Sequence, residues 1–197
     1  RKYKAEPGLS HVLGYVQYPS KDSAGFYYQE DFVGVDGIEK YFDADLQGIN
    51  GLKLIEVDAR GKIQSENVIQ PPEQGKNITL SIDHRLQSQL HQSIKNIATQ
   101  VGFAGGAGVI MDVTNGEVLA LTSYPEYDSE TMSSKTDTAR VKEYLTSKGK
   151  PFLDRAIDGL YAPGSIIKPY MALAALNEKI IDPLKKILST GSISVPN

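Results

Sequence analysis

Apolar and polar residues alternate along this chain in two manners. Up to about residue 70 the apolar pieces are short and separated by turn formers. Leu13–Val16 and Gly34–Phe42 are such pieces, and Ile38, Tyr41 and Phe42 at helical spacing predict a short helix near 36–46, broken by Gly48–Gly51. Leu52–Val57 and Lys62–Ile69 flank the turn-like tetrad Asp58-Ala59-Arg60-Gly61 and read as a hairpin. Pro71-Pro72-Glu73-Gln74-Gly75 marks a boundary, because two prolines and a glycine favour an extended or turning chain.

Beyond that boundary the periods lengthen. Asn77–Ile82 alternates as a strand. Asp83 is placed to cap a helix over His84–Val101, whose Leu86, Leu90, Ile94, Ile97 and Val101 recur at three and four, and Gly102 stops it. Ala107–Val113 and Glu117–Thr122 surround Asn115-Gly116, the strongest short hairpin signal. Residues 124–150 are polar, with a short helix expected near Thr138–Leu145, and a last helix is expected over Ser165–Glu178. Tyr27, Tyr28 and Tyr41 read as packing residues, and His84 and His91 as surface or partly packed ones.

Composition narrows the chemistry. The 197 residues are 40% hydrophobic and 23% charged, values of an ordinary globular protein. A net charge of −3 offers no basic face for nucleic acid. The chain has no cysteine, which removes disulfides, thiolate metal sites and cysteine nucleophiles, and its three histidines make a His-rich metal site improbable. No stretch approaches the ~18–20 apolar residues of a membrane span.

One segment carries chemistry. Tyr161-Ala162-Pro163-Gly164-Ser165-Ile166-Ile167-Lys168-Pro169 places Ser165 and Lys168 one turn apart at a helix start. A serine hydroxyl becomes a nucleophile when a neighbour takes its proton, and a desolvated lysine is able to do so. The helix N-terminus adds backbone N–H groups that favour an oxyanion. Taken alone, the four letters favour a plain capping serine and a solvated lysine. Ser147-Lys148-Gly149-Lys150 matches the same pattern in a polar stretch unsuited to catalysis.

The longer context resembles the penicillin-binding proteins. Pro163–Pro169, preceded by Arg155-Ala156 and Tyr161 and followed by an Ala/Leu-rich helix, looks like their active-serine segment. Gly75–Asp83 with Leu86-Gln87 looks like the entry to their transpeptidase domain. Gly108–Asp112, Gly116–Leu121 and Tyr124-Pro125 look like the first hairpin of its sheet. His11–Val16, Gly37–Lys40 and Leu46–Gly48 resemble the pedestal of the class B, monofunctional members. The resemblance implies an α+β chain: a partial, mainly β pedestal over 1–74, then the N-terminal part of a serine β-lactamase-like transpeptidase domain over 75–197.

It further implies a D,D-transpeptidase that cross-links peptidoglycan. Ser165 would attack the D-Ala-D-Ala bond of a stem peptide and supply one oxyanion donor through its backbone N–H. Lys168 would be the general base, a contested assignment in such enzymes. β-Lactams would acylate the same serine, and neither cofactor nor metal is called for. The implied setting is the extracytoplasmic face of a bacterial membrane, anchored by a helix that precedes this sequence, with a membrane glycosyltransferase and other cell-wall proteins as partners.

Some features depart from the pattern. Ser-x-Asn and Lys-Thr-Gly, the family's later motifs, do not follow Ser165; Ser65-Glu66-Asn67 and Lys135-Thr136-Asp137 precede it and read as coincidence. The 29 residues after Lys168 are too few for the rest of such a domain, so its C-terminal part is expected elsewhere. Tyr124–Ser129 differs from the usual loop sequence. A non-catalytic scaffold or sensor of the same fold therefore stays open as an alternative. A β-lactamase is disfavoured by the pedestal-like residues.

Overall fold

The computed structural model describes residues 1–191 except Ala5, Phe26, Glu30, Ile187, Ser189 and Thr190, with backbone only for Tyr27–Gln29. The described residues are α+β and divide into two compact units, Arg1–Gly159 and Leu160–Asn197.

The first unit opens with α1 (Ser10–Leu13), followed by β1 (Val16–Gln17), β2 (Ser20–Lys21), β3 (Tyr27–Gln29) and β4 (Val33–Gly34). β1 pairs antiparallel with β4, and β2 with β3. The helix expected near 36–46 is present in two pieces, α2 (Gly37–Tyr41) and α3 (Asp43–Leu46), divided at Phe42, whose backbone leaves the helical region. Glycines set the spacing here: a Cβ on Gly14, at φ +73°, would lie 1.7 Å from the Asp36 carbonyl oxygen. Backbone therefore meets backbone where α1 joins α2. Tyr41 is 82% exposed, its ring edge-on to the neighbouring Phe42, so it is not the packing residue expected. The side chains of Tyr27 and Tyr28 lie outside the described residues.

β5 (Leu52–Val57) and β6 (Ile63–Gln70) form the expected antiparallel hairpin. The Asp58 carboxylate organises its turn, accepting from the Arg60 and Lys62 amides. Leu52, Leu54, Ile55, Val57, Ile63 and Val68 are all exposed. Ser65 lies in β6 and donates to Glu56 at 2.6 Å, a ladder contact with no catalytic setting. Pro71–Gly75 then turns back on the chain, with Ile49 and Glu73 exchanging backbone hydrogen bonds at 2.9 Å.

Asn77–Ile82 is not a strand; the chain bends at Ser81. Its end meets β8 (Val118–Tyr124) through Ser81 Oγ to Val118 O and, just beyond, Asp83 N to Leu119 O. The alternation there did not yield a ladder. α4 (His84–Val101) has the expected ends: Asp83 accepts from Arg85 and Leu86 amides, and Gly102 closes it at φ +83°. Its buried positions, however, are Gln87, His91 and Ala98, whereas Leu86, Ile97 and Val101 are exposed.

β7 (Gly106–Met111) pairs antiparallel with β8. Ile94 of α4 rests against Gly106 and, with Leu90, against Gly108, where a Cβ would lie 2.8 Å and 3.1 Å from the nearest side-chain carbon. The opposite face shows Val109 and Met111 to solvent. The connecting turn is longer than a two-residue one. Asp112 N bonds Glu117 O, Gly116 N bonds Asp112 O, and Gly116 alone takes positive φ, +82°. Two helices follow: α5 (Ser129–Ser134), which the sequence reading lacked, and α6 (Thr138–Thr146), near its expected span. Lys135 and Thr136 of the coincidental motif lie between them.

The second unit holds a 3₁₀ turn, Gly164–Ile167, and α7 (Lys168–Asn177).

Candidate active site

Ser165 lies inside the 3₁₀ turn, and Lys168 opens α7. The sequence explains this division. In an α-helix starting at Gly164, the Ser165 carbonyl would accept from the amide four residues on. That residue is Pro169, which has no N–H. The Lys168 N–H donates to Ser165 O instead, an i to i+3 bond that tightens the turn to 3₁₀. Side chains three apart eclipse in a 3₁₀ turn, whereas in an α-helix they are offset. The turn thus directs Ser165 and Lys168 to the same side. Gly164, at φ +58°, takes the left-handed conformation that lets Pro163 lead into it.

Ser165 is consequently not the N-cap of the long helix; Ile167 occupies that position, and the positive end of α7 is at Lys168. No hydrogen bond joins Ser165 Oγ to Lys168 Nζ among the described residues, and both residues are exposed.

The first unit contains a buried polar network that the sequence reading missed. The Glu126 carboxylate accepts from Gly8 N at 2.8 Å and Ser10 N at 3.2 Å, and lies 3.5 Å from His91 Nε2. His91, 4% exposed, also meets Thr122 Oγ1 at 3.0 Å through Nδ1. Burial pulls the His91 pKa down, and the Glu126 charge opposes that pull. Gln87 bonds Gly8 O and both backbone groups of Leu121. Tyr127, 1% exposed, donates to Asp36 at 2.7 Å and lies 3.1 Å from Ser10 O. Burial, and then the Asp36 charge, raise its pKa. Tyr3 is pushed up to about 12, chiefly by burial.

His91 is thus buried in the core rather than at the surface or partly packed, and Glu126 and Tyr127 of the atypical Tyr124–Ser129 segment are tied to residues 8–10 and Asp36. The sequence carried no signal for this network, because Gln87 and His91 lie beside the apolar stripe of α4 rather than on it. His84 is exposed, as expected of a surface residue. Asp154 accepts from the Ala156 amide at 2.9 Å. Arg155 is buried, with its guanidinium on backbone carbonyls. Among the described residues no group of three or more potential metal ligands occurs, and no helix is long and apolar enough to cross a membrane.

Comparison with known proteins defines the class. Residues 1–80 match the penicillin-binding protein dimerisation domain, and residues 106–195 the penicillin-binding protein transpeptidase domain. The chain belongs to the class B penicillin-binding proteins. It is 31% identical to the peptidoglycan D,D-transpeptidase MrdA of Haemophilus influenzae, covering 100% of this chain and 31% of that protein. Among solved structures, a chain from a peptidoglycan synthase complex that coordinates polymerization and crosslinking matches with a TM-score of 0.75 at 30% identity, over 93% of this chain and 34% of that one. The penicillin-binding protein of the Helicobacter pylori PBP2–MreC complex matches with a TM-score of 0.73 at 31% identity, over 99% and 36%. The chain therefore spans about a third of the length of the relatives it matches.

Proposed function

We propose that this chain supplies the acyl-accepting serine of a peptidoglycan D,D-transpeptidase. The observation that supports the reading is the 3₁₀ turn holding Ser165 just before Lys168 at the start of α7, within the segment matching the transpeptidase domain. Lys168 Nζ takes the Ser165 Oγ proton as Oγ bonds the carbonyl carbon of a D-Ala-D-Ala stem peptide. The Ser165 N–H donates to the oxyanion that forms. The peptide C–N bond then breaks, and D-Ala leaves with the proton. An amine of a neighbouring stem displaces the serine from the acyl-enzyme and completes the cross-link. β-Lactams acylate Ser165 by the same attack on their strained amide. The chemistry needs no cofactor.

Residues 1–74 are assigned to a pedestal and 75–197 to the N-terminal part of the catalytic domain. The protein is placed on the extracytoplasmic face of the bacterial membrane. A membrane glycosyltransferase and a scaffold of the MreC kind are its partners in this reading, by analogy with the neighbours named above.

Fluorescent penicillin applied to the full-length protein and to Ser165→Ala tests the assignment. Covalent label on the parent and none on the variant is the expected result. Equal labelling removes Ser165 as the nucleophile.

A further inference from the structure

A cavity of about 340 Å³ opens beside the buried polar network of the first unit, the volume of a pocket for a small organic molecule. Residues of the N-terminal segment, α4, the 124–129 loop and α6 line it. The lining carboxylates have partners. Glu6 pairs with Lys4, Glu126 accepts from the Gly8 and Ser10 amides and faces His91, and Asp128 caps α5 through the Thr131 amide. Two lining cations do not. Among the described residues no carboxylate lies within ion-pair distance of the Lys95 ammonium or the Arg140 guanidinium. Arg140 donates through Nε to the Tyr144 hydroxyl at 2.9 Å, with its guanidinium 5.8 Å from the centre of that ring, and no bond engages its terminal nitrogens among the described residues. The Lys95 charge reaches the cavity floor, where it adds to the downward pull on the His91 pKa.

The wall also contains buried polar groups. His91 is 4% exposed and Ser129 6% exposed, and both line the cavity. Ser129 Oγ has no hydrogen-bond partner among the described residues, and a buried hydroxyl left unpaired is costly. Leu9, Leu13 and Pro125 give the space an apolar side. A partly apolar cavity on which a few polar groups and a perturbed imidazole converge has the make-up of a binding site. The groups left over decide what it would take. Lys95 and Arg140 are charged donors, and the Ser129 hydroxyl is a donor as well, whereas the carboxylates are already engaged. The complement is an acceptor-rich anion.

We propose that this cavity is a binding site for a small organic anion: Lys95 and Arg140 receive its carboxylate or phosphate group, and its compact body lies against Leu9, Leu13 and Pro125. Every lining residue belongs to Arg1–Gly159, so the site contains neither Ser165 nor Lys168 and does not depend on the nucleophile assignment.

The test is a titration of the full-length protein with benzoate, with phenyl phosphate and with benzamide, the neutral counterpart of benzoate, followed by ligand-detected NMR. At least one anion should bind saturably, and benzamide about tenfold more weakly or worse. The tighter of the two anions names the group the site prefers, and equal affinity supports a site for both. Lys95→Gln combined with Arg140→Gln should raise the Kd about tenfold or more. Lys142→Gln, which removes a cation of α6 that does not line the cavity, should change it less than about twofold. Should the double variant not fold, the two single variants decide: a Kd raised about threefold or more in each supports the proposal, and parental affinity in either overturns it. No saturable binding of either anion, benzamide binding as tightly as the anions, parental affinity in the folded double variant, or an equal loss in Lys142→Gln overturns it too. Prior acylation with penicillin should leave the affinity within about twofold. Loss of anion binding on acylation would place the anion at the acylated serine and overturn the proposal, whereas failure of penicillin to label Ser165 would fail the nucleophile assignment alone.

Discussion

Glu126 and His91 face each other at 3.5 Å across the seam between residues 8–10 and the end of β8, and one carboxylate serves both sides. Glu126 turns the Gly8 and Ser10 amides inward while it faces the imidazole. Hydrogen bonds to a charged acceptor contribute more than neutral ones, so Glu126→Ala should lower stability by about 2–4 kcal/mol. Chemical denaturation of the folded protein measures it. A loss within experimental error of zero would mean that the Gly8–Ser10 segment is held by something else.

The same pair makes stability depend on pH. His91 is held neutral by burial, with Glu126 opposing and with Lys95 and His11 adding to the downward pull. Its folded pKa lies below the unfolded value of 6.5, so the unfolded chain binds the extra proton first as pH falls. Stability should be complete above about 6.5 and should decline as pH drops from there toward the lowered folded value. His91→Gln should flatten that decline. An unchanged slope in the variant, read from melting temperatures across acidic buffers, would assign the decline to other groups.

At the alkaline end the sign is reversed. Tyr3 and Tyr127 have folded pKa values raised from 10.0, Tyr3 to about 12. The unfolded chain then loses protons first, and stability present below 10.0 should be lost as pH rises through that interval. Tyr127→Phe should shrink the alkaline loss while costing the Asp36 hydrogen bond at neutral pH. The same melting series, extended upward, reads both effects.

Two glycines with positive φ separate strain from crowding. Gly61, in the open β5–β6 turn, has nothing within 4 Å of a new Cβ, so Gly61→Ala should cost only the left-handed backbone term, about 1–2 kcal/mol. Gly14→Ala must also displace the Asp36 carbonyl, and should cost about 3 kcal/mol or more. Equal losses in the two variants would contradict the close approach of α1 to α2.

Pro169→Ala probes the catalytic turn. The new N–H is free to bond Ser165 O and draw the segment into an α-helix, which rotates Ser165 away from Lys168. Covalent labelling by a fluorescent penicillin should slow by about tenfold. Labelling at the parental rate would show that the 3₁₀ turn is not required.

Local signals were legible where they are complete within a few residues. Asp83 and Gly102 delimit α4 in the sequence as in the structure, and the Asp58 and Asn115-Gly116 turns locate both hairpins. The segment bearing Ser165 was legible as well, through its prolines and glycine. Periodicity could not say which face of α4 would be covered. Leu86, Ile97 and Val101 carry the apolar stripe, yet Gln87 and His91 are the buried ones, because Gly8 and β8 present polar groups to them. Asn77–Ile82 alternates but makes no ladder. The Glu126–Gly8 and Tyr127–Asp36 bonds join residues more than ninety positions apart, and no short window along the chain contains both partners.

The stitching of Gly8–Val16 to residues 121–133 also has a consequence in time. Glu126 lies 118 positions after Gly8, and Ser133 117 after Val16. At about 5–20 residues per second of synthesis, these bonds become possible roughly 6–24 s after the segment that needs them is made. Until then Val16, which ends wholly buried, has no enclosure, and the nascent segment stays a client for whatever shields unfinished chains.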